Sequence, residues 1–167
     1  MSDQKPKGMD NGLTNYGDPE FASFLRRSMA RSMGVSRELL DKPVVGIAMT
    51  PSGFNNCHRG MPELVEAVSR GVLAAGALPR PFPTVSLGEV FFNPTSMMYR
   101  NLMAMDTEEM IGAQPMDAVV LIGGQLVLCL ATRPELYGFD GDVLILYGDV
   151  PFVSTATMQR LVERLHG

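Results

Sequence analysis

Blocks of apolar and polar residues follow one another along the chain in an order that predicts an α/β fold. Three apolar runs, at residues 44–49, 117–124 and 142–147, have the length and composition of strands buried on both faces. Apolar residues recur at helical spacing after Pro62, and again from Asn93 to Ala113. The resulting order of strand, helix, extended segment, helix and strand predicts a three-layer fold with a mainly parallel sheet and crossover helices.

Two segments depart from this regular pattern. Leu78 to Val85 contains three prolines, which predict an edge strand or an irregular path. Residues 1–20 are polar and predict a flexible arm, whereas Phe21 to Leu40 carries apolar residues close to helical spacing. The same segment carries four arginines, Arg26, Arg27, Arg31 and Arg37. They indicate a solvated face on a helix that packs on the protein body or on another subunit. The alternative is an arm that binds anions.

Composition narrows the class of protein. A length of 167 residues suits one ordinary α/β domain, and a net charge of −4 gives no electrostatic reason to expect nucleic acid or a membrane surface as partner. The two cysteines, Cys57 and Cys129, are too few for a disulfide framework and suit a reducing cytosol. The N-terminus lacks the apolar core of a signal peptide, and the most apolar window, 118–131, is too short to cross a bilayer. These features predict a cytoplasmic protein.

Three side chains are candidates for chemistry, and each has a bland alternative. Cys57 ends a polar loop directly after the first strand, where it suits a cluster ligand, a nucleophile or a small buried residue. Glu89 and Asp149 each fit either a magnesium ligand or a solvated carboxylate. Because ligands gather beyond the carboxyl ends of parallel strands, Cys57 and the pair Gly123–Gly124 are expected at the same edge of the sheet.

Residues 26–124 strongly resemble the N-terminal part of the dihydroxy-acid and sugar-acid dehydratase family, the ILVD/EDD family. The resemblance covers about three fifths of the chain in an unbroken order of motifs. The motifs that carry it are Arg31-Ser-Met-Gly34, Lys42-Pro-Val-Val-Gly-Ile47, Asn55-Asn-Cys-His58, Phe82-Pro-Thr-Val-Ser-Leu-Gly-Glu89, Pro94-Thr-Ser-Met-Met-Tyr-Arg-Asn-Leu102, Met105-Asp-Thr-Glu-Glu-Met110 and Gln114-Pro-Met-Asp117 through Gly124.

The resemblance implies a hydro-lyase that converts a dihydroxy acid or sugar acid to a 2-keto acid by eliminating water. In that family an iron–sulfur cluster acts as Lewis acid on the leaving hydroxyl, and Mg²⁺ holds substrate oxygens. Cys57 matches the first cluster cysteine, although many members have Pro-Cys-Asn-x-His where this chain has Asn-Cys-His-Arg. Glu89 matches a magnesium ligand.

The chain departs from the family pattern after Gly124. The family continues with Cys-Asp-Lys-Thr, which supplies a second cluster ligand and part of the magnesium site, whereas this chain continues with Gln125-Leu-Val-Leu128. Cys129 lies four positions away in an apolar run and is not expected to replace the missing ligand. The expectation is therefore that this chain alone holds neither cluster nor magnesium stably, that it is inactive alone, and that no catalytic residue can be assigned.

Residues 138–167 resemble something else, an internal piece of the N-acetylglucosamine-1-phosphate uridylyltransferase domain, in which Asp149 matches a magnesium ligand. The sequence thus divides into an N-terminal arm and helix, a dehydratase-like segment, a junction and a nucleotidyltransferase-like segment, at 1–42, 43–125, 126–137 and 138–167. The simplest account is a fusion of two incomplete segments. The alternative function is a non-catalytic module that binds a nucleotide sugar or a protein partner, and homo-oligomerisation stays open.

Overall fold

The computed structural model of the chain describes residues 8–13, 17–123 and 142–147, together with residues 156 and 160. Four strands form one sheet in the order β2-β1-β3-β4, and every neighbouring pair is parallel. The strands are β1 (Val44–Met49), β2 (Leu78–Pro83), β3 (Ala118–Gly123) and β4 (Asp142–Tyr147). The predicted α/β fold with a parallel sheet is confirmed, and β4 belongs to the same sheet as β3.

Helices cover both faces of this sheet. Within residues 17–123 the α-helices are α1 (Pro19–Ser32), α2 (Met61–Ala74) and α3 (Arg100–Ala113). Val65, Val68 and Val72 of α2 pack on one face, in a core shared with alternate residues of β1 and β3. Ala30 of α1 and Ile111 of α3 contribute to the core on the other face. The predicted three-layer arrangement is therefore present, and among the described helices none has the length and apolarity needed to cross a membrane.

The prolines of β2 explain why this strand lies at an edge. The backbone N–H of Leu78 donates a hydrogen bond to Pro43 O, and that of Thr84 donates to Met49 O; both N···O distances are 2.8 Å. Because alternate residues of a strand point their N–H groups to opposite sides, the prolines at 79, 81 and 83 occupy the positions that face away from β1. No ladder bond to β1 is lost, so the edge position predicted from these prolines is confirmed.

Helix α1 is shorter than the apolar spacing from Phe21 to Leu40 predicts. It ends at Ser32 because Gly34 adopts a φ of +87°, in the left-handed region that favours glycine. The backbone N–H of Val35 then donates to Ala30 O and closes the end of the helix. A separate turn of 3₁₀ helix follows at Glu38–Asp41.

The large apolar side chains of α1 do not face the protein body. Ala22 and Ala30 form its buried side. Its exposed large apolar residues are Phe21, Phe24, Leu25 and Met29, and Met33 directly after the helix is exposed as well. Small residues let the helix lie close to the underlying layer, which leaves the larger side chains outside. The apolar spacing therefore identified the helix correctly but did not identify its buried side.

The third helix also begins later than expected. Asn93-Pro94 was the predicted start, but α3 begins at Arg100 after a 3₁₀ turn at Ser96–Tyr99. Thr95 caps this turn, since its Oγ1 accepts a hydrogen bond from Met97 N. The same hydroxyl donates to Glu89, so the turn is held by a contact that lies six residues back in the sequence.

Residues 8–13 are packed against the body and are not a flexible arm. Both Gly8 and Met9 are buried. The carboxylate of Asp117, directly before β3, accepts hydrogen bonds from Gly8 N at 2.9 Å and from Val44 N at 2.8 Å. Arg26 donates from α1 to the carbonyl oxygens of Met9 and Asn11. The amino ends of β1 and β3 are thus joined to the N-terminal segment.

Arg27 strengthens this attachment by pairing with two carboxylates. Its guanidinium lies 3.0 Å from Asp10 and 2.6 Å from Asp41. Arg26 and Arg27 therefore have partners within the chain, which favours a structural role for these two arginines over the anion-binding alternative.

Candidate functional site

The candidate site lies at the carboxyl edge of the sheet, next to the point where the strand order reverses. Strands β1 and β3 are neighbours, while the chain leaving β1 runs to the outer strand β2 and the chain leaving β3 runs to β4. In parallel α/β sheets, ligands bind in the crevice at this position. The loop after β1 carries Cys57 and the loop after β2 carries Glu89.

A short turn of 3₁₀ helix, Asn56–His58, presents Cys57. Asn55 caps this turn, because its Oδ1 accepts a hydrogen bond from Cys57 N at 3.2 Å. The thiol-bearing residue itself is exposed and is not in a disulfide. The predicted ligand is thus presented to solvent, and the alternative of a small buried residue is wrong.

An open depression lies beside this turn and has a volume of about 570 Å³. Its lining consists of Ser52, Gly53, Asn55, Asn56 and Arg59. Arg59 is the one positively charged residue among these lining residues, and it follows directly after the turn that carries Cys57.

His58 is buried although it adjoins an exposed cysteine. Only 6% of its surface is exposed, and its Nδ1 lies 3.2 Å from Thr50 Oγ1 and 3.0 Å from Ser86 Oγ. Burial lowers the pKa of His58 below its ordinary value, although a contact with the Thr50 backbone opposes this effect. The buried imidazole thus contacts hydroxyl groups from the loops after β1 and β2.

The loop after β2 approaches the Cys57 loop closely. Asn55 Nδ2 donates to Leu87 O at 2.9 Å, and a Cβ built on Gly88 would lie only 2.6 Å from Phe54 O. Glycine is therefore required at position 88 by contact and not by backbone conformation, since its φ is −117°. The rings of Phe54 and Phe91 also meet edge to face, with their centroids 6.1 Å apart.

The same loop is fixed from the other side by α3. Asp106 Oδ2 accepts a hydrogen bond of 2.7 Å from Val85 N, immediately after β2. The loop from Val85 to Phe92 is thereby held between α3 and the Cys57 loop, so the side chain of Glu89 starts from a fixed backbone.

Glu89 is exposed, and its carboxylate is held in one orientation. It accepts hydrogen bonds from both the hydroxyl and the backbone N–H of Ser96, and from Thr95 Oγ1 at 2.9 Å. The bonds from Ser96 and Thr95, together with the nearby positive charge of Arg100, lower the pKa of Glu89. An ionised, oriented carboxylate at the surface is a suitable single ligand for a hard cation.

The structure brings two of the three predicted ligands onto adjoining loops. Cys57 and Glu89 lie on loops that share hydrogen bonds and a ring contact. Asp149 and Cys129 lie outside the described residues. Within the described part of the chain, no group of three or more histidine, cysteine or acidic side chains is arranged to hold a metal ion.

Sequence reasoning missed the residues that hold the two loops together. From the sequence alone, His58 next to Cys57 could be either a hydrogen-bonding partner or an exposed side chain, and no role follows for Asn55 or Ser86. The one available signal was the placement of small polar side chains on both loops, at residues 50–58 and 84–89. That signal does not specify which of these side chains meet in space.

Comparison with known proteins places this site in a family. The family model described as the N-terminal region of dihydroxy-acid/6-phosphogluconate dehydratases matches residues 42–125, half of the chain. The 6-deoxy-6-sulfo-D-gluconate dehydratase of Pseudomonas putida is 44% identical over 103 residues, which cover 61% of this chain and 18% of that protein.

Two further relatives share the name dehydratase. The L-arabinonate dehydratase of Rhizobium leguminosarum bv. trifolii is 40% identical over 122 residues, covering 72% of this chain and 20% of that protein. The dihydroxy-acid dehydratase of Thermosynechococcus vestitus is 33% identical over 103 residues, covering 59% of this chain and 18% of that protein. The chain thus spans about a fifth of the length of these relatives. With its Cys57 and Glu89 loops both inside the matched region, the chain belongs to the dihydroxy-acid/6-phosphogluconate dehydratase family and represents its N-terminal part.

Proposed function

We infer that this chain supplies the N-terminal, ligand-bearing part of a hydro-lyase site that acts on a sugar acid or a dihydroxy acid. Cys57 is proposed as a cluster ligand and Glu89 as a magnesium ligand. The proposal includes a reducing compartment, the cytosol, which keeps Cys57 as a free thiol. Relatives named for sugar acids and for dihydroxy acids both match the chain, so both substrate classes are retained.

The observation that carries the proposal is the junction of the two loops. An exposed thiol and an ionised carboxylate stand on loops joined by the contact of His58 with Ser86 and the bond from Asn55 to Leu87 O. The adjacent depression is lined by Arg59, which can bind the carboxylate that sugar acids and dihydroxy acids have in common.

The described residues do not complete a cluster site. Iron–sulfur clusters are commonly held by four protein ligands, whereas Cys57 is the one cysteine within the described ranges. The residue after Gly123–Gly124 is Gln125, where the family pattern has a cysteine, and we therefore propose that the chain does not catalyse water elimination by itself.

A magnesium site needs fewer protein ligands than a cluster site, and Glu89 is a suitable ligand of this kind. Protein-bound Mg²⁺ commonly uses one or two carboxylates and completes its shell with water and substrate oxygens. Each carboxylate oxygen of Glu89 accepts bonds from the Thr95–Ser96 turn, which fixes its direction and leaves part of its acceptor capacity open. One carboxylate alone implies weak binding, with affinity supplied mainly by the bound acid.

Anaerobic reconstitution tests the assignment of Cys57. The chain is incubated with ferrous iron and sulfide under anaerobic conditions, and bound iron, labile sulfide and visible absorption are measured after gel filtration. We expect iron well below cluster stoichiometry, and we expect that small amount to disappear in Cys57→Ser. The matched control is Cys129→Ser, which should retain the iron of the wild-type chain.

Three results would contradict the proposal. A stable stoichiometric cluster on the chain alone would overturn the inference that the site is incomplete, whereas equal iron in wild type and Cys57→Ser would remove Cys57 as a ligand. Formation of 2-keto acid from L-arabinonate is followed in the same samples with added Mg²⁺. Turnover by the chain alone would refute its proposed inactivity.

A further inference from the structure

The buried histidine beside Cys57 has surroundings that point to a specific task. His58 stands at the end of the Cys57 turn, but its ring is directed into the protein, where it contacts hydroxyl groups from two other places in the sequence. Thr50 directly follows β1, and Ser86 lies in the loop after β2. The imidazole therefore links three segments that meet at the carboxyl edge of the sheet.

The orientation of Asn55 fixes the chemistry of this link. Asn55 Oδ1 accepts from Cys57 N and Nδ2 donates to Leu87 O, so the two ends of the amide are assigned by separate partners. The same Nδ2 lies 3.4 Å from His58 Nε2, which can interact favourably with it only as an acceptor. The proton of the neutral ring then resides on Nδ1, which faces the hydroxyls of Ser86 and Thr50.

The two loops have little room to move apart or together while this link is intact. Gly88 lies against the backbone of Phe54 and Asn55, and a Cβ at this position would fall 2.6 Å from Phe54 O. Contact at Gly88 sets how closely the loops approach, and the polar contacts of His58 and Asn55 oppose their separation. Both ligand-bearing turns are thus positioned relative to one another.

We propose that His58 is a positioning residue whose buried imidazole fastens the Cys57 turn to the loop that carries Glu89. The inference rests on the proposed function for the ligand roles of Cys57 and Glu89. The link itself is a property of the protein that can be measured without any metal or substrate.

The test uses a nitroxide spin label on Cys57 in a Cys129→Ser background, since the exposed thiol accepts a label without disturbing the core. In the parent protein, electron paramagnetic resonance should report a restricted label. We expect Ser86→Ala to mobilise the label, although this substitution lies 29 positions from the labelled cysteine. The matched control is Ser69→Ala, which removes a hydroxyl bonded to Val65 O within α2 and should leave the spectrum unchanged.

Hydrogen exchange on the unlabelled full chain supplies the reciprocal measurement. His58→Ala should speed exchange in residues 86–90, and Ser86→Ala should speed it in residues 55–59, each roughly fivefold, the effect of one ordinary hydrogen bond. The double variant should resemble His58→Ala alone, because the two substitutions remove the same link. A residue that only stabilised the whole fold would instead accelerate exchange in β1 and β3 as well.

The possible results separate this inference from the proposed function. An unchanged label in Ser86→Ala, or additive effects in the double variant, would overturn the positioning role even if Cys57 binds iron. Failure of Cys57 to bind iron would overturn the proposed function and leave the link between the loops standing. If His58→Ala does not fold, Ser86→Ala still decides the question, because it removes only a hydroxyl.

Discussion

Replacing Gly88 with alanine should separate the two ligand-bearing loops without straining the local backbone. The residue has a φ of −117° and a ψ of 114°, values that alanine adopts readily. The added Cβ, however, would lie 2.6 Å from Phe54 O and 3.3 Å from both Cα and Cβ of Asn55. Because the nearest atom belongs to the backbone, relief requires the Phe54–Asn55 segment to move.

The cost follows from what this movement disrupts. Ordinary contact begins at 3.4 Å, so relief from 2.6 Å needs a shift of about 0.8 Å. Overpacking that displaces backbone in this way costs about 1–3 kcal/mol. The same shift lengthens the 2.9 Å bond from Asn55 to Leu87 O, and a buried amide without its partner costs about 1–3 kcal/mol. Reduced freedom of the unfolded chain returns about 0.4–1 kcal/mol. Because both costs arise from the same movement, they overlap and do not add in full, and we expect a net loss of about 2–3 kcal/mol in the free energy of unfolding.

Urea unfolding measures this loss directly. The chain contains no tryptophan, so the urea transition is followed by far-UV circular dichroism. In a separate thermal scan, the melting temperature of the variant should be about 4–12 °C lower than that of wild type. Gly53→Ala is the matched control, because Gly53 adjoins Phe54 in the loop that Gly88 contacts and a Cβ there would meet no atom within 4 Å. If Gly88→Ala and Gly53→Ala have free energies of unfolding within about 0.5 kcal/mol, the argument from close contact is refuted.

Substitutions at two further residues, Asp117 and Asp10, test the attachment of the N-terminal segment. Asp117→Ala should lower the free energy of unfolding by about 3 kcal/mol, because it leaves the buried N–H groups of Gly8 and Val44 without their acceptor. Asp117→Asn keeps one acceptor oxygen and should lose about half as much. If urea unfolding shows that the alanine variant lies within about 1 kcal/mol of wild type, this explanation is contradicted. Burial raises the pKa of Asp10, but hydrogen bonds from Ser23 and Arg27 outweigh it and lower the pKa below the ordinary 3.8. The ionised group therefore stabilises the fold above about pH 4 and loses that effect as the pH falls through its folded pKa. Since 40% of the Asp10 side chain is exposed, the difference in free energy of unfolding between wild type and Asp10→Asn should be only about 0.5–1 kcal/mol at pH 6. In urea titrations this difference should shrink toward pH 3. A difference independent of pH would argue against the ion pair.

Strands and helices that follow from the local apolar pattern could be predicted from the sequence. Helix boundaries that depend on contacts with residues outside the helix could not. The strands β1, β3 and β4 follow from apolar runs, and the edge position of β2 follows from its prolines. The start of α3 was misplaced because the Thr95–Ser96 turn is held by Glu89, a contact that helix spacing does not contain. The buried side of α1 does not follow from its apolar spacing, because alanines pack there.

The candidate site shows the same division. Cys57 and Glu89 were identified from motifs within single loops, and the family assignment that these motifs suggested is confirmed. The contacts of His58 with Thr50 and Ser86 span 8 and 28 positions. No periodicity in the sequence specifies such pairs, because they depend on the register that places β1 beside β2.

The three prolines of β2 restrict the edge of the sheet at which a further strand can pair. With proline at every outward-facing position, the free side of β2 offers carbonyl oxygens but no amide donors, so no additional strand can form a regular ladder there. Among the described strands, β4 lies at the opposite edge and carries no proline within Asp142–Tyr147. Any strand that enlarges this sheet, from the same polypeptide or from a second one, must therefore join beside β4.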